Sequence, residues 1–265
     1  MIGNQPIGFF DSGWGGLSIL KTARKTLPHE NFIYVADCGF APYGDRSHDF
    51  IVERARKIAS FLLETKQAKA LVIACNTATA EAIDSLRRQW PQAIIIGVEP
   101  AVKAAVALSK NKRIGMISTN RTAQSERYHR LLERFGHNAT IFSQGCPGLM
   151  ECVEAGEFNT PDTRKLLHQY LAPMLEQKID TLILGCTHYP FLSQAIEGIA
   201  GPNVTLYEPS LAVVRHLQNR LADINALKVN GVGEETFYVT GLTDHRKSVA
   251  CRLWGKTTLF ENLEV

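Results

Sequence analysis

Two stretches constrain this chain more than anything else in it. They are Leu182-Ile183-Leu184-Gly185-Cys186-Thr187-His188-Tyr189-Pro190 and a near twin upstream, Leu71-Val72-Ile73-Ala74-Cys75-Asn76-Thr77-Ala78-Thr79. Each is a short apolar run, a small residue, a cysteine and then polar residues able to open a helix. An apolar run that does not alternate is covered on both faces, as in a strand inside a parallel sheet. The cysteine then stands at the strand's carboxyl end, where open α/β sheets keep their ligands. Two cysteines in matching contexts point to two thiols facing one site.

Around these stretches strand and helix signals alternate. Pro6-Ile7-Gly8-Phe9-Phe10-Asp11-Ser12-Gly13-Trp14-Gly15-Gly16-Leu17 reads as a strand, a glycine-rich turn and a helix start, with the helix running from Leu17 to Leu27 ahead of Pro28. Glycines permit tight turns and helix N-termini favour anions, but the spacing is neither a Walker loop nor a dinucleotide fingerprint. Phe32 to Ala36 is the next strand, and Asp37 to Asp45 is a loop by its Pro and Gly content. An amphipathic helix from Ser47 to Lys66 leads to the Cys75 strand, followed by a helix from Thr79 to Gln89 and a strand from Ile94 to Val98.

From about Glu99 the pattern restarts. Arg113-Ile114-Gly115-Met116-Ile117-Ser118-Thr119-Asn120 parallels the first strand, and Ala139-Thr140-Ile141-Phe142 parallels Phe32-Ile33-Tyr34-Val35 at the same separation. Gly145-Cys146-Pro147 falls where Asp37-Cys38-Gly39 fell. The repetition predicts an α/β fold of two pseudo-symmetric domains, each a mostly parallel sheet flanked by helices. The expected boundaries are residues 1–98 plus 209–265 for the first domain and 99–208 for the second, with the active site in the cleft between them.

Bulk properties exclude several classes of function. The 265 residues suffice for a real core, and 45% hydrophobic with 21% charged residues is ordinary for a globular protein. A net charge of +3 on scattered Lys and Arg argues against nucleic acid or a membrane surface as partner. No apolar run approaches the roughly 20 residues of a membrane span, and Met1 to Pro6 lacks the features of a signal peptide. A cytoplasmic location is expected. The cysteines are Cys38, Cys75, Cys146, Cys152, Cys186 and Cys251, with neither C-x-x-C nor zinc-finger spacing, so a disulfide framework is not expected.

An arbitrary cysteine is usually a small buried hydrophobe. Cys75 and Cys186 depart from that because a helix N-terminus after each would lower the thiol pKa and expose thiolate. Asp11-Ser12 alone would be a helix cap, but Asp-Ser-Gly-x-Gly-Gly is longer than a cap requires. His188, two residues from a thiol, can tune it or shuttle its proton. Glu154 reads from pattern alone as a solvated helix residue, and Cys38, Cys146, Cys152 and Cys251 as structural. Two other readings stay open: a Cys186–His188 nucleophile, and, more weakly, a metal held by Cys75, Asp11 and His188.

At Phe10-Asp11-Ser12-Gly13-Trp14-Gly15-Gly16-Leu17, Pro42-Tyr43-Gly44, Ala74-Cys75-Asn76-Thr77-Ala78 and Leu184-Gly185-Cys186-Thr187-His188-Tyr189-Pro190 the chain resembles the glutamate racemases, in that family's order and spacing from about residue 6 to 200. The resemblance implies a racemase that needs no pyridoxal phosphate, metal or nucleotide and converts L-glutamate to D-glutamate for peptidoglycan. One cysteine thiolate would remove the α-proton while the other, as thiol, protonates the opposite face. By resemblance Cys75 deprotonates D-glutamate with help from Asp11, and Cys186 deprotonates L-glutamate with help from His188 and Glu154. Asp11, Ser12, Tyr43, Gly44, Asn76, Thr77, Thr187 and His188 match the substrate-binding positions. The implied partner is the small-molecule substrate alone, and a homodimer is compatible with it.

The chain departs from the family at Glu151, where many members carry proline, and at Tyr207-Glu208-Pro209-Ser210, which replaces the usual Asp-Ser start of the returning segment. Members activated by a UDP-muramoyl precursor carry an extension ahead of the position of Pro6, so no such activation is expected. The alternatives carried forward are an aspartate racemase of the same superfamily, a cysteine-dependent hydrolase or lyase of small acids, and a non-catalytic amino-acid-binding protein.

Overall fold

The apolar runs picked out above are strands in a computed structural model of the chain, which describes residues 2–265. Met1, where the stretch read for a signal peptide begins, lies outside the described residues. The strands are β1 (Ile7–Asp11), β2 (Phe32–Ala36), β3 (Ala70–Ile73), β4 (Ile94–Gly97), β5 (Arg113–Ser118), β6 (Thr140–Gly145), β7 (Thr181–Leu184), β8 (Thr205–Tyr207), β9 (Glu235–Val239) and β10 (Glu261–Asn262). They form a six-stranded sheet, β10-β9-β2-β1-β3-β4, and a four-stranded sheet, β6-β5-β7-β8. Every strand pair is parallel. The order β2-β1-β3-β4 recurs as β6-β5-β7-β8, so the sequence repeat is a repeat of topology. Among the described residues β9 and β10 have no counterpart in the smaller sheet; they come from the returning C-terminal segment.

Burial explains why the runs are continuous. All residues of β1, β2, β3 and β7 are buried, and each Leu, Ile or Phe so placed contributes about 1.5–3 kcal/mol. The register sets Ile7 beside both Phe32 and Ala70, and Ile114 beside Ile141 and Thr181. Helix Ser210–Asp223 packs on helix Leu17–Thr26 and on β4, which returns the C-terminal segment to the larger sheet. A buried ion pair pins it there. Lys69 Nζ lies 2.6 Å from Glu30 and donates to the Ala226 carbonyl at 2.8 Å, while Glu30 accepts the Lys228 N–H at 2.9 Å. Removing one partner of such a pair costs about 3–5 kcal/mol.

Helix starts differ from the sequence expectation for local reasons. The helix after β3 is Asn76–Gln89, three residues longer at its start, because Cys75 is itself the N-cap and its sulfur accepts the Ala78 N–H at 3.4 Å. The helix opened by the Ser47 cap is α-helical over His48–Ser60 and continues as a wider π turn over Phe61–Thr65.

Candidate active site

Cys75 and Cys186 each stand two residues beyond the last residue of their strand, β3 and β7 respectively. Both line one cavity of about 40 Å³ at the carboxyl ends of the two sheets, together with Ser12, Tyr43, Gly44, Asn76, Thr77, Thr187 and His188. Asp11 and Glu154 stand one layer behind the lining.

On the Cys186 side, Sγ is 3.6 Å from His188 Nδ1, and His188 Nε2 is 2.7 Å from Glu154 Oε1. Burial alone would push His188 down, but its bonds to the Cys186 sulfur and the Glu154 carboxylate outweigh it and hold the imidazole well above its ordinary pKa. An imidazolium then donates to both neighbours. With the Nε2 proton directed at Glu154, the Gly15 N–H, 3.2 Å from the same nitrogen, meets no free lone pair.

The expectation that both cysteines precede a helix N-terminus holds for Cys75 only. After Cys186 comes a 3₁₀ turn, Tyr189–Leu192, before helix Ser193–Ala200. Tyr189 anchors that turn by donating its hydroxyl toward the Ser118 and Cys146 carbonyls, at 3.2 and 3.3 Å. The direction expected for Cys75 is also overturned. Burial first, then the Asp11 charge, push its thiol up to about 12, against the bonds from Ala78 and Ser12. One backbone N–H does not offset full desolvation.

Asp11 is fully buried but caps no helix: the N-cap of Leu17–Thr26 is Gly16, without a side-chain bond. The Asp11 carboxylate accepts the Gly13 N–H at 3.0 Å and, across the cleft, the Thr187 hydroxyl at 3.2 Å. Burial pushes it up to about 6, in spite of the nearby His188 charge. The glycine run has a steric purpose. A Cβ on Gly13 would collide with the Glu154 carboxylate, and one on Gly15 with the His188 ring and Thr187 hydroxyl. With no side chain at Gly13 or Gly15, this turn admits the Glu154–His188 pair from the other half, and Trp14 N–H donates to Glu154 Oε1 at 2.7 Å.

Among the binding candidates, Ser12 Oγ is 3.5 Å from Cys75 Sγ. The Asn76 amide is buried with neither its nitrogen nor its oxygen partnered, the condition of a polar group that a ligand completes. Thr77 shares its hydroxyl with Thr119 at 3.0 Å and Thr122 at 3.3 Å, both from the other half. The Tyr43 hydroxyl is committed to Asp37 at 2.5 Å, so Tyr43 does not offer it to the cavity. Gly44 lines the cavity with backbone alone.

Thr119, Asn120, Cys146, Pro147, Met150 and Glu151 also line it, and the sequence reading assigned them no role. The repeat carries a signal for Thr119, which occupies the place of Ser12; Met150 and Glu151 lie outside the repeated units. Among the described residues no three His, Cys, Asp or Glu side chains are grouped to hold a metal ion, and no helix is long and apolar enough to cross a membrane.

A family model described as Asp/Glu/Hydantoin racemase matches residues 18–217. Fold, site and family model define an isomerase, and the chain belongs to that racemase family. A glutamate racemase from Stutzerimonas stutzeri (strain A1501) is 43% identical over 256 residues, covering 97% of this chain and 96% of that protein. Among solved structures, a glutamate racemase isoform from Bacillus anthracis matches at TM-score 0.90 and 32% identity, covering 98% of each chain. A glutamate racemase from Francisella tularensis, solved in complex with D-glutamate, matches at TM-score 0.88 and 32% identity over 99% of this chain and 98% of that one. Within the family its branch is glutamate racemase.

Proposed function

We propose that the chain interconverts L- and D-glutamate by proton transfer between Cys75 and Cys186, with no cofactor. The observation that carries this is the placement of both thiols on one cavity, each from the carboxyl end of a different sheet. Inverting a carbon needs a base on one face and an acid on the other, and two like groups let the reaction run both ways. With L-glutamate bound, Cys186 as thiolate takes the α-proton and Cys75, whose pushed-up thiol keeps its proton, delivers it to the opposite face. His188 and Glu154 hold the proton balance beside Cys186, and Asp11 biases Cys75 toward the protonated form by its charge. Ser12, Asn76, Thr77, Thr187 and the Tyr43-Gly44 turn surround the substrate.

The two sheets support dividing the chain into residues 1–98 plus 209–265 and residues 99–208. The named relatives support glutamate as substrate, and the product would enter peptidoglycan synthesis. Six free cysteines fit a reducing cytoplasm.

The test is α-proton exchange and enantiomer conversion of D- and L-glutamate in D₂O, followed by NMR with no added cofactor. Cys75→Ala and Cys186→Ala should each lose conversion by about 10²–10⁴-fold, the range of one acid–base group. A variant converting at the native rate, or a native protein that exchanges no α-proton, would sink the two-thiol reading.

A further inference from the structure

Behind the cavity wall lies a bonded cluster centred on Asp37, a residue that the reaction above does not use. Asp37 follows β2 directly, at the same sheet end as Cys75, and is fully buried. Its carboxylate accepts four side-chain bonds. Arg54, from helix His48–Ser60, grips it with Nε at 3.0 Å and Nη2 at 2.8 Å; the Tyr43 hydroxyl bonds it at 2.5 Å and the Thr240 hydroxyl at 2.9 Å. The Arg54 guanidinium lies 3.6 Å from the centroid of the Phe40 ring and is itself only 4% exposed.

A buried ion pair is a poor device for stability alone, since an apolar pair of the same volume often does as well. What this pair does have is geometry. The two-pronged grip fixes the plane of the Asp37 carboxylate, and one of its oxygens receives the Tyr43 hydroxyl. Tyr43 begins the short turn Tyr43–Asp45, whose residues line the cavity beside Asn76 and Thr77. Gly44 in that turn faces Thr119 of the other half so closely that an added Cβ would lie 3.3 Å from it. A shift of the turn therefore alters the cavity and the contact between the halves together.

We propose that Arg54 is a positioning residue for substrate binding: through Asp37 it fixes the Tyr43 hydroxyl and so holds the Tyr43–Asp45 turn in place against Asn76 and Thr77. The proposal rests on the reading that this turn touches the substrate. Arg54 touches no reacting atom; its influence passes through two side chains, and it acts on KM more than on kcat.

The experiment is steady-state racemisation in both directions, with thermal unfolding of each variant, for Arg54→Lys, Tyr43→Phe, their double variant and Thr77→Val as reference. Lysine keeps the charge and loses the fork, and Tyr43→Phe leaves the ion pair intact but cuts its link to the turn. Each single change should raise KM roughly tenfold with kcat within about twofold, and the double variant should be no worse than either, because both break one chain of contacts. Multiplying effects on KM overturn the proposal. So does a native KM in both single variants while Thr77→Val raises it. Should Thr77→Val also leave KM native, the binding reading of this cavity fails instead. Should Arg54→Lys not fold, Tyr43→Phe decides: a raised KM supports the link, and a native KM refutes it.

Discussion

The side chain with the clearest consequence beyond its contacts is Asp11. Its carboxyl is pushed up from 3.8 to about 6, so the folded protein holds that proton more tightly than the unfolded chain does. Stability conferred by the protonated form is present below about pH 4 and is lost as pH rises toward 6, by up to about 3 kcal/mol. Urea unfolding at pH 4.5 and 7.5 should therefore show a smaller difference between the two pH values for Asp11→Asn than for the native protein. Equal differences would show that Asp11 titrates normally. At this scale the sequence was informative about identity and less so about state. Cys75, Cys186 and His188 were legible from position after an apolar run, and Asn76 only through the family resemblance. That Cys75 is pushed up to about 12, and that the Tyr43 hydroxyl points at Asp37, follow from burial and from partners on other elements.

Among the elements, the turn between β1 and helix Leu17–Thr26 shows how a local motif acquires a distant purpose. Its glycines read as a flexible, anion-tolerant turn; in the fold they are the floor against which Glu154 and His188 rest. Gly15→Ala should displace the His188 ring and lower kcat/KM by about 10²-fold with secondary structure by circular dichroism unchanged, the scale of an ångström-level misplacement. Gly198→Ala is the contrasting case. It lies exposed in helix Ser193–Ala200 with nothing within 4 Å of an added Cβ, and should stabilise by about 0.5–1 kcal/mol with kinetics unaltered. If Gly15→Ala left activity native, close approach would not be the reason for the glycine. Strands were the most legible elements, because burial on both faces writes itself into composition. The 3₁₀ turn after Cys186 was not, since carbonyls of Ser118 and Cys146 hold it.

For the whole molecule, the two halves meet tightly. Glu81 and Asp84 from helix Asn76–Gln89 pair with Arg121 and Arg127 across the cleft, at 3.3 Å each. A substrate held between the halves stabilises both. D-glutamate at about 100 times its Kd should contribute about 2.7 kcal/mol, raising Tm by roughly 5–10 °C in a thermal shift assay. No shift even at millimolar D-glutamate would show that the folded protein does not bind it. By itself the sequence determined strands β1 to β7, the internal repeat, the parallel α/β class and the two cysteines, because each depends on neighbours a few residues away; β8, β9 and β10 it did not mark. Tertiary structure decided that Asp11 reaches Thr187, that Glu154 reaches Trp14, and that burial outweighs a helix N-terminus at Cys75. Those outcomes depend on desolvation and on partners more than a hundred residues distant, for which no local pattern in the chain carries a signal.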